Sequence, residues 1–330
     1  MRSSPPVLLV VVDTEEEFDW SAPFNPDATS IQAMNEIHRG QEVCDRFGIR
    51  PVYVIDHPVA NNEHGWKPLS TFVMEGRAVI GAHLHPWVSP PFVEETTIAH
   101  SFPGNLPREL EREKLSLLTR RIEESIGVRP LIYKAGRYGI GPNTPAILEE
   151  LGYEVDLSPA PPFDFRGGGG PDFSRASNHP GRIGPGQRIL SLPTTGDYVG
   201  LLAFSRPQSH RLHRLSIHPF FKSLRLPGIL SRLRLLERIR LSPEGYRFDE
   251  LKRLTLGLLD RGLDVFSFTY HSPSLKPGCT PYVSNIKDRD RFLATMHQYF
   301  HFFLHELGGV SRTPLDLKKD RDLSSPSPME

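Results

Sequence analysis

Two histidines separated by a single residue, His83 and His85, follow the apolar stretch Ala78–Ala82. On a β-strand, residues two apart point to the same side, so both imidazoles can address one cation. Neutral imidazole suits zinc, and two histidines with one carboxylate leave coordination positions open for water. Asp13 and Glu15 repeat this spacing after the apolar run Val7–Val12. One carboxylate can ligate while the other takes a proton. The alternative is a solvated acidic turn, since Glu16, Glu17 and Asp19 follow. His271 ends the run VFSFTY, and an unperturbed histidine pKa of about 6.5 suits general acid or base work. Lys134 and Asp156 stand at or near the ends of two further apolar runs.

The elements that must position these residues alternate in type. Val7–Val12, Pro51–Ile55, Ala78–Ala82, Leu131–Tyr133, Tyr153–Leu157, Arg188–Leu192 and Leu263–Thr269 are expected strands. Ile31–Phe47, Pro107–Ile126, Pro142–Leu151, Phe248–Arg261 and Asp288–Leu307 are expected helices. In Pro107–Ile126 the spacing puts Leu110, Leu117, Leu118 and Ile122 on one face. Short strands alternating with amphipathic helices predict an α/β domain. In parallel sheets and barrels the site lies at the carboxyl ends of the strands, where the ionisable residues above stand.

Composition narrows the function classes. With 38% hydrophobic residues the chain can build a core, and 39 basic residues against 39 acidic ones disfavour a general nucleic-acid binder. Two cysteines, Cys44 and Cys279, allow at most one disulfide and fit a reducing compartment. The N-terminal apolar run is six residues and acids follow it, so no signal peptide is expected and the location is read as cytoplasmic. Residues 165–187 are rich in Gly and Pro and are expected to form a mobile loop. Residues 206–240 carry nine Lys/Arg against one acid and are expected to form a basic insertion, whose helix over Gly228–Leu241 is read first as packing on the barrel with its arginines to solvent, and as the alternative making weak contact with a membrane surface. The tail 309–330 is expected to be disordered, leaving 1–308 as a single catalytic domain.

The segments VVDTEEEFDW, IGAHLHPW, YKAGRYGIGPNT, YEVDLS and FSFTYHSPSL, in that order, resemble motifs of the polysaccharide deacetylase family. These are NodB-homology carbohydrate esterases, and the resemblance spans roughly residues 7 to 307. It implies an irregular (β/α)7 barrel and a divalent metal, zinc above all, held by Glu15, His83 and His85. The family's second motif spaces its two histidines four apart; here Trp87 stands four after His83, so His85 takes that role. The resemblance makes Asp13 the catalytic base, held by Lys134 or Arg137 where the family usually has arginine. It makes His271 the acid, with Asp156 as its orienting partner, and sets a backbone N–H near Tyr138 at the oxyanion. Trp20 and Trp87 are candidates for stacking on a sugar. The implied reaction removes an acyl group, N-acetyl first, from a polysaccharide or sugar-containing precursor. Two other classes compete: a small-molecule C–N amidohydrolase on the same fold, and a glycan-binding descendant without turnover.

Overall fold

The structure is a computed structural model and describes residues 4–19, 22–203, 205–216 and 235–324. Its strands are β1 (Val7–Thr14), β2 (Val52–Ile55), β3 (Val79–Leu84), β4 (Ile132–Ala135), β5 (Val155–Asp156), β6 (Gly181–Ile183), β7 (Ile189–Ser191), β8 (Gly196–Val199), β9 (Glu237–Arg240), β10 (Val265–His271) and β11 (Val310–Ser311). Near-continuous apolar runs such as VLLVVV suit strands covered on both faces, the usual state of a parallel sheet. Seven strands run parallel in the order β10-β1-β2-β3-β4-β5-β7, with β6 antiparallel at the end. The sheet curls into a half-barrel. β8 and β9 form a separate antiparallel ribbon beside β10, where the Thr269 N–H donates to the Leu241 carbonyl at 3.0 Å.

Strand alternation splits the core in two. Val10, Val12, Tyr53, Ile55 and Tyr133 face the helices, while Leu9, Val11, Val52, Val54 and Ile132 face the interior of the half-barrel. Asp13 and His83 continue the interior rows of Val11 and Gly81 at the carboxyl ends. Gly81 is required there, because a Cβ would meet Val54 Cγ1 at 2.7 Å and the Ile132 carbonyl at 2.8 Å.

Several expectations change. The helix Arg108–Ile126 buries Leu115, Leu118, Ile122 and Ile126, together with Glu111 and Lys114, whereas Leu110 and Leu117 stay partly exposed. Lys114 is buried because its ammonium donates to the carbonyls of Pro86 (3.1 Å) and Pro91 (2.7 Å), pinning the loop that follows His85. Residues 165–187 hold a short 3-10 turn at Arg166–Gly168 and strand β6, tied by Arg166 to Asp164 and Asp172. The helix expected over Gly228–Leu241 is corrected where the structure describes it. Glu237–Arg240 is strand β9, since Ile239 and Leu241 enter the core between arginines at period two. Residues 217–234 lie outside the described residues. Within 206–240, Arg206–Ser216 is a helix whose Arg206 pairs with Asp197 at 2.8 Å.

The tail is also corrected. β11 pairs with the first residues of β1, and Pro314–Ser324 is a helix. Leu317 joins the interior cluster with Leu9, Val11 and Val265. Lys318 reaches Glu154 (3.4 Å) and Arg321 reaches Asp264 (3.1 Å), just before β5 and β10. The helix therefore closes the amino-terminal end of the half-barrel. Among the described residues, no helix is long and apolar enough to cross a membrane.

Candidate active site

The pairing register of the strands assembles the site. Asp13 on β1 is the partner of His271 on β10, and His83 on β3 is the partner of Lys134 on β4. All four stand at the carboxyl edge, on side chains that the alternation turns inward.

Asp13 is almost wholly buried, and the Lys134 ammonium donates to both of its oxygens, at 2.7 and 2.6 Å. Burial opposes ionisation of Asp13, but Lys134, His83 and His271 outweigh it and hold its pKa below the ordinary carboxylate value. Arg137 takes no part in this pair. Its guanidinium stacks on Phe102 (4.1 Å to the ring centroid) and Phe24 (4.9 Å) and donates to Ser101. The cause is local: Arg137 and Tyr138 have φ of 54° and 60°, so the chain leaves strand geometry directly after β4.

Glu15 Oε2 lies 3.3 Å from His83 Nε2 and 3.4 Å from His85 Nε2. His83 Nδ1 faces the Lys134 carbonyl at 2.9 Å. A carbonyl only accepts, so Nδ1 carries the proton and Nε2 keeps its lone pair. His85 Nδ1 donates to Glu16 at 2.9 Å. Burial drives the His85 pKa down against the pull of Glu15, which favours neutral imidazole. Glu16 in turn accepts nothing from bulk water. Burial raises its pKa to about 7, and burial also raises that of Asp56, whose carboxylate receives the Glu16 N–H at 2.8 Å, well above the ordinary value. Two Nε2 lone pairs and one carboxylate oxygen converging within 4.8 Å, each imidazole held from behind, form a donor set that fits a divalent cation such as zinc. Gly136 makes the approach possible, because a Cβ there would collide with the His85 ring and the Leu84 carbonyl.

His271 presents Nε2 to Asp13 at 3.5 Å and gives Nδ1 to Glu244 at 2.8 Å. Glu244 also accepts the backbone N–H of His271 at 3.1 Å. Burial disfavours the imidazolium, yet Glu244, Glu15 and Asp13 overcome it and hold the pKa well above the ordinary value. The expected partner Asp156 is corrected here. Its carboxylate accepts from Ser158 and Ser191 on the far side of β4, and burial raises its pKa to about 6. Asp156 is in register with Tyr133 on the helix-facing side of the sheet, between the interior residues Val155 and Leu157, and His271 Nδ1 is held by Glu244 instead.

These groups open onto a cavity of about 330 Å³ lined by Asp13, Glu15, His83, His85, Tyr138 and His271, with Arg240 and Tyr282 on its outer wall. That volume lies at the small end of the ~300–1,000 Å³ typical of small-molecule sites. Trp87 does not stack toward this space. It is buried and packs its ring on His85, centroids 4.3 Å apart. Trp20 lies outside the described residues.

No family model matches the chain, and no curated protein matches it by sequence. Solved structures do. A Mycobacterium smegmatis protein classed as a polysaccharide deacetylase superposes with a TM-score of 0.55 at 15% identity, covering 100% of this chain and 96% of that one. The chain has the polysaccharide deacetylase fold. A Pseudomonas aeruginosa PAO1 protein of the same class gives 0.53 at 15% identity, over 98% of this chain and 92% of that one. The PuuE allantoinase gives 0.54 at 15% identity, over 99% and 96%. The polysaccharide deacetylase fold thus accommodates more than one kind of chemistry, and the reaction must be argued from the side chains.

On that fold the structure brings together Asp13, Glu15, His83, His85, Lys134, Tyr138 and His271. Arg137 lines the same cavity without touching Asp13, and Asp156 stands apart. Sequence reasoning missed Glu244, Glu16, Asp56 and Arg240. Glu16 was legible as the next acid after Glu15. Nothing in LSPEGYRFDE marks Glu244, which reaches His271 only through the placement of the β8–β9 ribbon.

Proposed function

We propose that the chain is a metal-dependent hydrolase that removes an acyl group, N-acetyl first, from a sugar-containing substrate. One observation carries the reading: Asp13 and His271 face each other across 3.5 Å beside the Glu15–His83–His85 cluster, the carboxyl with its pKa held low and the imidazole with its pKa held high. A divalent ion held by Glu15, His83 and His85, zinc by the nature of the donors, supplies Lewis-acid polarisation of the acyl carbonyl.

The remaining work falls to the chain's own groups. Asp13 takes the proton of the attacking water, and Lys134 fixes the carboxylate and balances its charge in the dry site. His271 gives its Nε2 proton to the leaving nitrogen. Glu244 holds Nδ1–H, which orients the ring and sustains the charged form. The backbone at Arg137–Tyr138 turns out of strand geometry beside this centre and is the candidate for the oxyanion contact. The products are a carboxylic acid, acetate in the first case, and a free amine.

The test is acetate release from N-acetylated sugars by purified protein, alongside elemental analysis for bound metal. About one divalent ion per chain, with acetate release abolished in Asp13→Asn, supports the reading. Metal bound without release of acid from any acylated sugar sinks it. The small cavity favours one other reading, a small-molecule C–N amidohydrolase, which would release ammonia or formate in place of acetate. A protein that takes up no metal even when zinc is offered would instead be a glycan binder without turnover.

A further inference from the structure

Apart from Glu15, which faces His83 and His85, the acids at the cavity and on the neighbouring ribbon are committed to basic partners. Asp13 pairs with Lys134 at 2.6 Å and Glu244 with His271 at 2.8 Å. On the β8–β9 ribbon, Asp197 pairs with Arg206 (2.8 Å) and Arg261 (3.1 Å), and Glu237 pairs with Arg253 (2.7 Å). Arg240, on the cavity wall, has no carboxylate partner among the described residues, and its Nε is buried without a hydrogen-bond acceptor. Among the described residues it rests on rings, 4.3 Å from the Phe163 centroid and 4.9 Å from that of Tyr138, with Glu244 adding only a longer-range attraction. Arg238 lies over the same Phe163 ring at 4.3 Å, so two guanidinium groups share one aromatic face. Tyr138 also lines the cavity, and its hydroxyl too is buried without a partner.

Aromatic faces offset only part of the cost of withdrawing a cation from water, and two like charges side by side add to it. A planar fork of donors and an unspent hydroxyl on one wall match the geometry of a carboxylate or phosphate. We propose that Arg240, with the Tyr138 hydroxyl, receives an anionic substituent of the substrate and thereby selects acidic acylated sugars over neutral ones. This rests on the acyl-hydrolase reading of the same cavity, which leaves Asp13 and His271 for the acyl group and Arg240 for the rest of the molecule.

The experiment compares three probes by calorimetry on the full chain: N-acetylglucosamine, N-acetylglucosamine 1-phosphate and N-acetylmuramic acid. A charged sugar should bind at least about tenfold more tightly than the neutral one. The phosphate and lactyl arms show which anion is preferred. Arg240→Gln should remove the advantage, and Arg240→Lys, a point charge without the fork, should keep part of it. Equal affinity for all three, including no measurable binding of any, overturns the proposal, as does an advantage that survives in Arg240→Gln. Acid release is assayed separately on the same probes. Charged-sugar preference without release of acid would remove the hydrolase reading and leave the anion site standing. Equal acetate release from neutral and charged sugars would do the reverse.

Discussion

His271 Nε2 lies 3.5 Å from Asp13 Oδ2, across the register pair that joins β10 to β1. The pKa of the carboxyl is held low and that of the imidazole high, and each is held from behind by a partner of its own, Glu244 for the imidazole and Lys134 for the carboxylate. The proposed base and acid are thus set side by side by the hydrogen-bonded register of two adjacent strands.

Under the proposed reaction, Glu244 should set the basic limb of the pH–rate profile. The His271 pKa is raised, so the proton needed for the leaving group is present below that pKa and lost as pH rises through it. Glu244→Gln removes the first of the raising influences. The limb should move to lower pH, and kcat/KM at pH 8 should fall by about tenfold or more. A limb that stays in place, measured over pH 5 to 10 on the same acylated sugar, would show that Glu244 only packs.

Lys134→Met should leave Asp13 buried and unpaired. Breaking such a pair from one side typically costs about 3–5 kcal/mol. Denaturant unfolding should show most of that loss, and the double variant Asp13→Asn/Lys134→Met should recover part of it. If the two single losses simply add, the 2.6 Å contact carries no coupling.

Gly136→Ala tests the cation site without touching a ligand. The added methyl must displace the His85 ring or the Leu84 carbonyl. Bound metal per chain should drop by at least about tenfold in affinity, as it does when outer contacts of a ligand are disturbed. Elemental analysis after dialysis against a chelator of graded strength reads this directly, and wild-type retention of metal would refute it.

Glu111 offers a stability measurement remote from the site. Burial pushes its carboxyl up to about 7. Above the ordinary value of 4.5 the unfolded chain gives up this proton and the folded chain keeps it, so Glu111 lowers stability steadily from there to about pH 7. Glu111→Gln should gain on the wild type over that window, reaching on the order of 3 kcal/mol at pH 8. A difference that is flat with pH would place the ionised carboxylate in contact with a compensating charge.

What could be read in advance follows from how each residue is placed. Asp13, Glu15, His83 and His85 were legible because strand alternation is local, and an apolar run ending in ionisable residues reports it. Lys134 was legible as one of two candidates. The choice against Arg137 needed the positive φ at 137, which no side chain announces. Glu244 and Arg240 were illegible for another reason. GILSRLRLLERIRL satisfies a helical period, while Arg238, Ile239 and Arg240 equally satisfy the period of two that the ribbon uses. Tertiary pairing with β8 decides between them. Asp156 failed because alternation sets it on the Tyr133 side of the sheet, where its carboxylate is taken by Ser158 and Ser191.

β1 is hydrogen-bonded to three strands, and two of them, β10 and β11, come from the far end of the chain. During synthesis the strand that bears Asp13 therefore leaves the ribosome with one flank unfilled. It waits until Val265–His271 has been translated, and its first residues wait longer still, for Val310. Closure of this sheet is a late, long-range event, the kind of step that slows folding and exposes apolar edges on the way. A product ended at 308 would keep every residue proposed for chemistry and yet lack the segment that completes the sheet.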